Sequence, residues 1–180
     1  PLWRNCCMVV RSLDKLDISV YDDFFPLNTQ KEIFQKLLTS GWSYTGGGGI
    51  GADKLSRFWH VDRLENDDYF SSYLYDIICK KLNMNFSGFS RIYANGQTAC
   101  QYGVPHIDDG DMTFIYYPNL EWKLIWQSGL FFIENNEIIK TVSYKPNRVV
   151  LFPAKITHYA DAPSRFFNGL RISLAYKLWN

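Results

Sequence analysis

Hydrophobic residues recur along this chain at two different periods, and the change of period divides it. In "NTQKEIFQKLLTSGW" Ile33, Phe34, Leu37 and Leu38 form a stripe at helical spacing. Thr29 and Glu32 make a capping-box pair at its head, and Gly41 supplies a stop. A second stripe of Phe70, Tyr73, Leu74, Ile77 and Ile78 predicts a helix from about Asp67 to Leu82. From Phe86 onward the period shortens to that of strands, in "FSRIYA", "TFIYY", "SGLFFI", "EIIKTVSY", "RVVLF" and "RISLAYKLW". Glu134-Asn135-Asn136-Glu137 predicts a hairpin turn and Lys145-Pro146-Asn147 a tight turn. The expected fold is mainly β with supporting helices, an α+β arrangement. A jelly-roll core, the double-stranded β-helix of cupins, spans about 86–180, and a helical front of about 1–85 packs on one of its sheets. No repeat or linker divides the chain, so 1–180 is expected to be one domain.

Onto this strand-rich half the sequence places an ordered set of chemical groups. His106 and Asp108 stand two apart, so on an extended segment both side chains reach one ion. His158 follows the apolar run Val149 to Phe152. Two imidazoles and one carboxylate on one side of a metal leave the opposite positions open, the facial triad of a non-heme Fe(II) oxygenase. Arg171 opens a strand beyond His158, and its planar fork suits a carboxylate held bidentately, as an organic-acid co-substrate would be. Ser173 shares its face and can add a hydroxyl donor. A rival pair, His60 and Asp62, lies among charged residues and leads into a helix. Were His106 the distal histidine of that pair, a cation should follow within about fifteen residues, yet the first after it is Lys123. His60 is therefore expected to be a surface, domain-packing or substrate-contacting residue.

Composition narrows the picture further. A hydrophobic content of 47 per cent excludes a disordered chain, and a net charge of +1 supplies no field for nucleic acid, so no nucleic-acid partner is expected. No apolar run reaches membrane-spanning length and no basic leader precedes an apolar segment, which leads to the expectation of a cytoplasmic, non-membrane protein. Cys6, Cys7, Cys79 and Cys100 lack zinc spacing and are expected as reduced thiols. Gly46, Gly48 and Gly51 satisfy a dinucleotide-type glycine pattern, but the strand before it and the βαβ context are missing. A mobile lid over 46–51 is expected instead.

The stretch from Arg91 to Lys177 resembles the catalytic domain of the prolyl 4-hydroxylase branch of the Fe(II)/2-oxoglutarate dioxygenases. "RIYANGQ" is similar to the family's Tyr-x-x-Gly-Gln strand, "TFIYYPNLEW" to its strand ending in Tyr-x-Asn, and "KPNRVVLFPAKITHYADAP" to the strand leading to the distal histidine. Three departures stand out. Gln127-Ser128-Gly129 replaces the usual Gly-Gly-Glu, four extra residues lie between Gly96 and His106, and Arg171 stands where many members carry Lys.

The resemblance implies a hydroxylase that couples decarboxylation of 2-oxoglutarate to succinate with C–H hydroxylation, procollagen-proline dioxygenase-like in type. Fe(II) is expected on His106, Asp108 and His158. Arg171 is expected on the far carboxylate of 2-oxoglutarate, with Ser173, Tyr93 and Thr113 as hydrogen-bond partners. Dioxygen is the oxidant, and ascorbate enters as an optional reductant. The carboxylate at Asp108 favours hydroxylation over halide transfer, in which a small residue would open a site for chloride. Tyr102, Tyr116, Tyr117, Trp122 and Trp126 are candidates for the pocket or simply for the core. The expected substrate is peptidyl proline in a peptide or protein. Hydroxylation of a free amino acid or small metabolite, and a non-catalytic jelly-roll binding module, are the alternatives; the oligomeric state is not read from the sequence.

Overall fold

The computed structural model describes residues 11–13, 17–46 and 57–180. The front half carries β1 (Arg11–Leu13), β2 (Ile18–Tyr21), α1 (Leu27–Leu38), β3 (Ser43–Gly46) and β4 (Arg57–Val61). After a 3-10 turn at Leu64–Asn66, a π-helical segment (Tyr69–Leu74) runs into α2 (Tyr75–Leu82). The back half carries β5 (Gly88–Gln97), β6 (Met112–Tyr116), a 3-10 turn at Leu124–Trp126, β7 (Gly129–Glu134), β8 (Glu137–Ser143), β9 (Val149–Pro153), β10 (His158–Ala160) and β11 (Arg171–Trp179).

Two antiparallel sheets face each other. The larger has the order β1-β2-β9-β6-β11-β5-β4-β3, the smaller β10-β7-β8. The segment before β6 extends the smaller sheet, since Gly103 N bonds Ala160 O at 2.9 Å and His106 pairs with His158. This is the expected double-stranded β-helix. Its central strand is β11, bonded to β5 along one edge and β6 along the other. Ile172, Leu174, Tyr176 and Leu178 point to one face, where they pack with Ile33, Leu37, Phe70, Leu74 and Ile78 of the helical layer. The opposite face looks into the space between the sheets, filled by Ile18, Tyr117, Leu130, Phe132, Tyr144, Val150 and Phe152.

All six strands expected from the period-two pattern form. The front half is less helical than expected, because β1 to β4 extend the large sheet at both edges. The capping box does not form: α1 starts at Leu27, Pro26 is its N-cap, and no side chain caps it. Proline is preorganised for a helix start and places Thr29 inside the first turn. The helix also stops before Gly41. Thr39 and Ser40 donate their hydroxyls to the carbonyls of Gln35 and Lys36 and so end the ladder first. Leu38 is left 45 per cent exposed, and Gln30 joins Ile33 and Leu37 on the buried face. The second helix covers close to the expected span, but its π turn shifts the buried face, which leaves Phe70, Leu74 and Ile78 buried and Tyr73 facing solvent. The expected lid falls largely on residues outside those described. Among the described residues no helix is long and apolar enough to cross a membrane, and Cys79 and Cys100 are free thiols.

Both expected turns are present and depend on asparagine. Asn135 (φ 51) and Asn136 (φ 63) adopt the doubly left-handed form that matches strand twist in a two-residue hairpin. Asn147 (φ 60) does more. Its carboxamide donates to Phe25 O at 2.7 Å and accepts from Phe25 N at 2.9 Å and from the Tyr116 hydroxyl at 3.1 Å, which ties the chain before α1 to the turn before β9. Asn147→Ala leaves these buried groups unpaired and puts a Cβ-bearing residue without local hydrogen bonds in the left-handed region. A loss of about 3 kcal/mol in unfolding free energy is expected by denaturant titration, whereas Asn135→Gly at the hairpin should change stability by less than about 1 kcal/mol.

The Gln127-Ser128 departure has a backbone consequence. Both residues sit at positive φ, 53° and 78°, in conformations glycine adopts without strain. Gln127 is exposed, and its ψ of −143° lies near a region that side chains disfavour. Relief of this strain outweighs the added chain entropy of glycine, so Gln127→Gly should raise stability by about 1 kcal/mol in the same assay.

Candidate active site

Asp108 lies just beyond the edge of the smaller sheet and is placed by backbone bonds. Its N–H donates to Ala154 O at 2.8 Å, and Asp111 N donates to Leu178 O at 2.9 Å. Gly110 permits this approach: it has φ 82°, and a Cβ there would lie 2.8 Å from Leu178 O. Ile107 points to solvent while His106 and Asp108 point inward, so extended alternation holds although the segment is only a single β-bridge. His158 opens β10 after the turn that carries the chain from the large sheet to the small one. Backbone bonds join the two histidines in both directions, at 3.0 and 2.9 Å.

The tautomers follow from what faces each ring. His106 Nδ1 lies 2.8 Å from Val104 O and His158 Nδ1 2.8 Å from Ile156 O. A carbonyl only accepts, so both Nδ1 atoms carry the proton and both Nε2 atoms present lone pairs. Those lone pairs face the Asp108 carboxylate, His106 Nε2 at 3.5 Å from Oδ1 and His158 Nε2 at 3.3 Å from Oδ2. Ligand atoms of the three residues all lie within 4.8 Å of one another. Acceptors converging in this way repel unless a cation lies between them, which is the donor chemistry of a metal site. Burial lowers the pKa of His158 despite Asp108 beside it, keeping the imidazole in its ligating form. Burial alone would raise the Asp108 carboxyl. The Lys177 ammonium beside it acts the other way and holds the group ionised, below the usual carboxylate range. His106 is the partly open member of the set, its side chain 23 per cent exposed against 2 to 3 per cent for the others.

Arg171 sits at the far end of the inner face of β11 and is 1 per cent exposed. One of its NH groups donates to Gln97 Oε1 at 2.6 Å, and Gln97 in turn donates to Gln101 O. The guanidinium lies 5.3 Å from the Tyr117 ring centroid and 4.9 Å from that of Tyr144. Among the described residues its Nε has no hydrogen-bond partner, nor has the buried Tyr117 hydroxyl. Among the described residues no carboxylate forms an ion pair with it. A buried cation beside orphaned donors fits a carboxylate-bearing ligand, because leaving such groups unpaired is costly. Ser173 is buried on the same inner face, in register with Asn95 of β5.

The remaining expected residues lie near the triad. Thr113 donates its hydroxyl to Asp108 Oδ2 at 2.7 Å, so that proton serves the carboxylate rather than a co-substrate. Tyr93 lies beside Lys177, whose Nζ is 5.4 Å from its ring centroid. Of the aromatic candidates, Tyr116 and Tyr117 are fully buried, Tyr102 is exposed, and Trp122 and Trp126 pack edge to face with ring centroids 5.4 Å apart.

His60 is not a surface residue. It is 8 per cent exposed on β4, with Nδ1 2.9 Å from Asn95 Oδ1, and a strand rather than a charged loop holds it. Asp62 beyond it is exposed, and among the described residues only His106, Asp108 and His158 converge as possible ligands. Two groups were missed by sequence reasoning. Tyr117 was named only as an aromatic liner, and Lys177 was not considered. Lys177 carried a signal: it falls on the same alternation as Arg171 and Ser173, and it is the one charged residue between Ile172 and Trp179.

No family profile matches the sequence, and no curated protein matches it. Similar solved structures exist. A prolyl hydroxylase from Trichoplax adhaerens, solved in complex with a hypoxia inducible factor oxygen degradation domain peptide fragment, is 18% identical. It has a TM-score of 0.64, over 90% of this chain and 83% of that one. A prolyl-4-hydroxylase from Pseudomonas putida is 13% identical with a TM-score of 0.62, over 92% and 94%. A 2OG-Fe(II) oxygenase family oxidoreductase from Burkholderia pseudomallei is 10% identical with a TM-score of 0.69, over 90% and 84%. At these identities the likeness is one of fold, and the chain has the double-stranded β-helix fold of these oxygenases.

Proposed function

We propose that this chain is an Fe(II)- and 2-oxoglutarate-dependent hydroxylase of the prolyl 4-hydroxylase type. The observation that carries the reading is a complementarity of charge in one barrel interior. Three electron-pair donors converge on a point where a cation belongs, and a buried guanidinium with no ion-pair partner among the described residues stands on β11 of the larger sheet. His106, Asp108 and His158 would hold the iron, and Arg171 the far carboxylate of 2-oxoglutarate, with Ser173 and the Tyr117 hydroxyl beside it. When bound, iron and 2-oxoglutarate supply dioxygen activation and, with loss of carbon dioxide to give succinate, the oxidant for C–H hydroxylation; ascorbate would serve as accessory reductant.

The chain's own groups do the rest. The carbonyls of Val104 and Ile156 hold both imidazoles in the Nδ1–H tautomer. Thr113 orients Asp108, and Phe132 and Phe152 pack on the His158 ring and exclude water from it. For the substrate we favour peptidyl proline. An open groove of about 570 Å³ lies between the tip of the β7–β8 hairpin, Ile133 to Asn136 with Ile139, and the segment Lys155 to Thr157, with Pro105 at its side. Pro105 and Thr157 immediately precede the two histidine ligands, so the groove borders the segments that carry them, although none of the three ligands lines it. Two of the similar structures are named prolyl hydroxylases, and one carries a peptide. The test is succinate formation by the iron-loaded protein with proline-containing peptides, free proline and other amino acids. Stimulation by peptides is expected. Turnover of free proline with inert peptides overturns the peptide substrate, and no stimulation by any compound overturns the enzyme.

Two sets of variants follow. His106→Ala, Asp108→Ala and His158→Ala should each weaken iron binding by about 100-fold or more and abolish turnover, since loss of even a group supporting a ligand costs 10- to 100-fold. Metal content after anaerobic reconstitution reads this, and His60→Ala should retain iron. Arg171→Ala should keep iron yet raise the KM for 2-oxoglutarate by an amount equivalent to about 2–5 kcal/mol. Arg171→Lys should be intermediate, because an ammonium keeps the charge and loses the fork. Unchanged 2-oxoglutarate saturation in both Arg171 variants would remove that residue from its role.

A further inference from the structure

The roles above leave Lys177 unused, and its position is costly to ignore. It lies on the inner face of β11, six residues from Arg171, and is 1 per cent exposed. Its Nζ donates to Asp108 Oδ2 and lies 3.5 Å from the Thr113 hydroxyl, which donates to the same oxygen at 2.7 Å. Two donors therefore grip one oxygen of the carboxylate. The other oxygen, Oδ1, faces His106. A hydroxyl alone would hold Oδ2 in place, so an added buried ammonium does something a neutral donor does not.

We propose that Lys177 is a positioning residue that confines Asp108 to single-oxygen ligation through Oδ1 and makes metal binding depend on the co-substrate anion. This deepens the hydroxylase reading and rests on it. Before an ion enters, the ammonium and the Asp108 carboxylate neutralise each other. A divalent ion that shares the carboxylate then leaves the site strongly net positive. Asp108 is 4 per cent exposed and Lys177 1 per cent, so water screens this surplus poorly. A carboxylate arriving on the metal offsets it. The far carboxylate cannot, because Arg171 neutralises that end, separated from Lys177 by about 20 Å of strand. The two cations on one strand face thus serve the two ends of a dianion, Arg171 by direct grip and Lys177 through Asp108 and the ion.

The test uses Mn(II), which is redox-stable, and measures its Kd by calorimetry with and without 2-oxoglutarate; no turnover is involved. In the wild type, 2-oxoglutarate should tighten Mn(II) binding by roughly 5- to 150-fold, the usual span of coupling between sites. Lys177→Gln keeps a hydrogen-bond donor near Oδ2 and removes the charge. It should bind Mn(II) alone at least as tightly as the wild type, with the tightening by 2-oxoglutarate reduced at least about fivefold. Lys177→Arg should restore most of the coupling, and Thr113→Val, which removes only a neutral donor, should keep it. Circular dichroism checks that each variant folds. Wild-type coupling in Lys177→Gln overturns the proposal, as does weaker Mn(II) binding in that variant with the coupling intact, which would mark a purely structural lysine. Should Lys177→Gln not fold, loss of coupling in folded Lys177→Arg, or in Thr113→Val, overturns it equally. A wild type that binds neither Mn(II) nor 2-oxoglutarate overturns the hydroxylase reading instead, and the inference with it.

Discussion

Strand β11 must satisfy two environments at once, and the rest of the molecule is arranged around that constraint. Side chains alternate across a strand, so every second residue from Ile172 to Leu178 meets the helical layer, and the intervening ones meet the space between the sheets. On the helical side each large apolar residue contributes on the order of 1.5–3 kcal/mol of burial. On the inner side the same strand carries Arg171, Ser173 and Lys177 into a region lined by Phe132, Tyr144 and Phe152. The apolar face anchors the strand firmly enough that charged side chains are tolerated on the other. A slip of one residue would exchange the two faces and destroy the core and the site together.

Buried charge is what makes the inner face informative. Replacing paired buried ions by apolar residues is often neutral or stabilising, so Asp108 with Lys177, and Arg171 with no ion-pair partner among the described residues, are poor candidates for stability elements. Their presence in a well-packed barrel points to chemistry that needs fixed charge. The imidazoles give the same indication by a different route. Their protons are committed to backbone carbonyls, and what remains inside the barrel is a set of lone pairs.

Legibility in the sequence followed how local each determinant is. The back half was readable because alternation, turn residues and ligand spacing all lie within short windows; Asn135-Asn136 and Asn147 took the conformations that their residue types favour. Strands β1 to β4 were not readable. They are short, and β2 and β4 are joined to the sheet by partners farther along the chain, β9 and β5, with β1 and β3 pairing in turn on them. Of the readings offered for His60 the surface one fails for that reason, its charged neighbours masking a strand that burial of Phe58 and Val61 stabilises. The Thr29 and Glu32 pattern failed because Pro26 offered an earlier start for α1. The triad and Arg171 were legible as residue types at spacings. Lys177 and Tyr117 needed the third dimension, since only the register of β11 against β6 brings one strand's lysine and the other's threonine onto the same carboxylate.

The backbone bridge between His106 and His158 has a consequence for the protein's mechanical integrity. The two residues stand 52 positions apart and are joined at their peptide groups before any ligand is added. An ion shared by their rings would act as a second fastening across the same gap, a crosslink closing a long loop in the way a disulfide does, but reversible and selective for the folded chain. The segment it fastens is the outermost member of the smaller sheet. Loss of such an ion would thus loosen the edge segment, exposing backbone that pairs readily with other chains. An ion at this position would then fasten the fold as well as serve its chemistry.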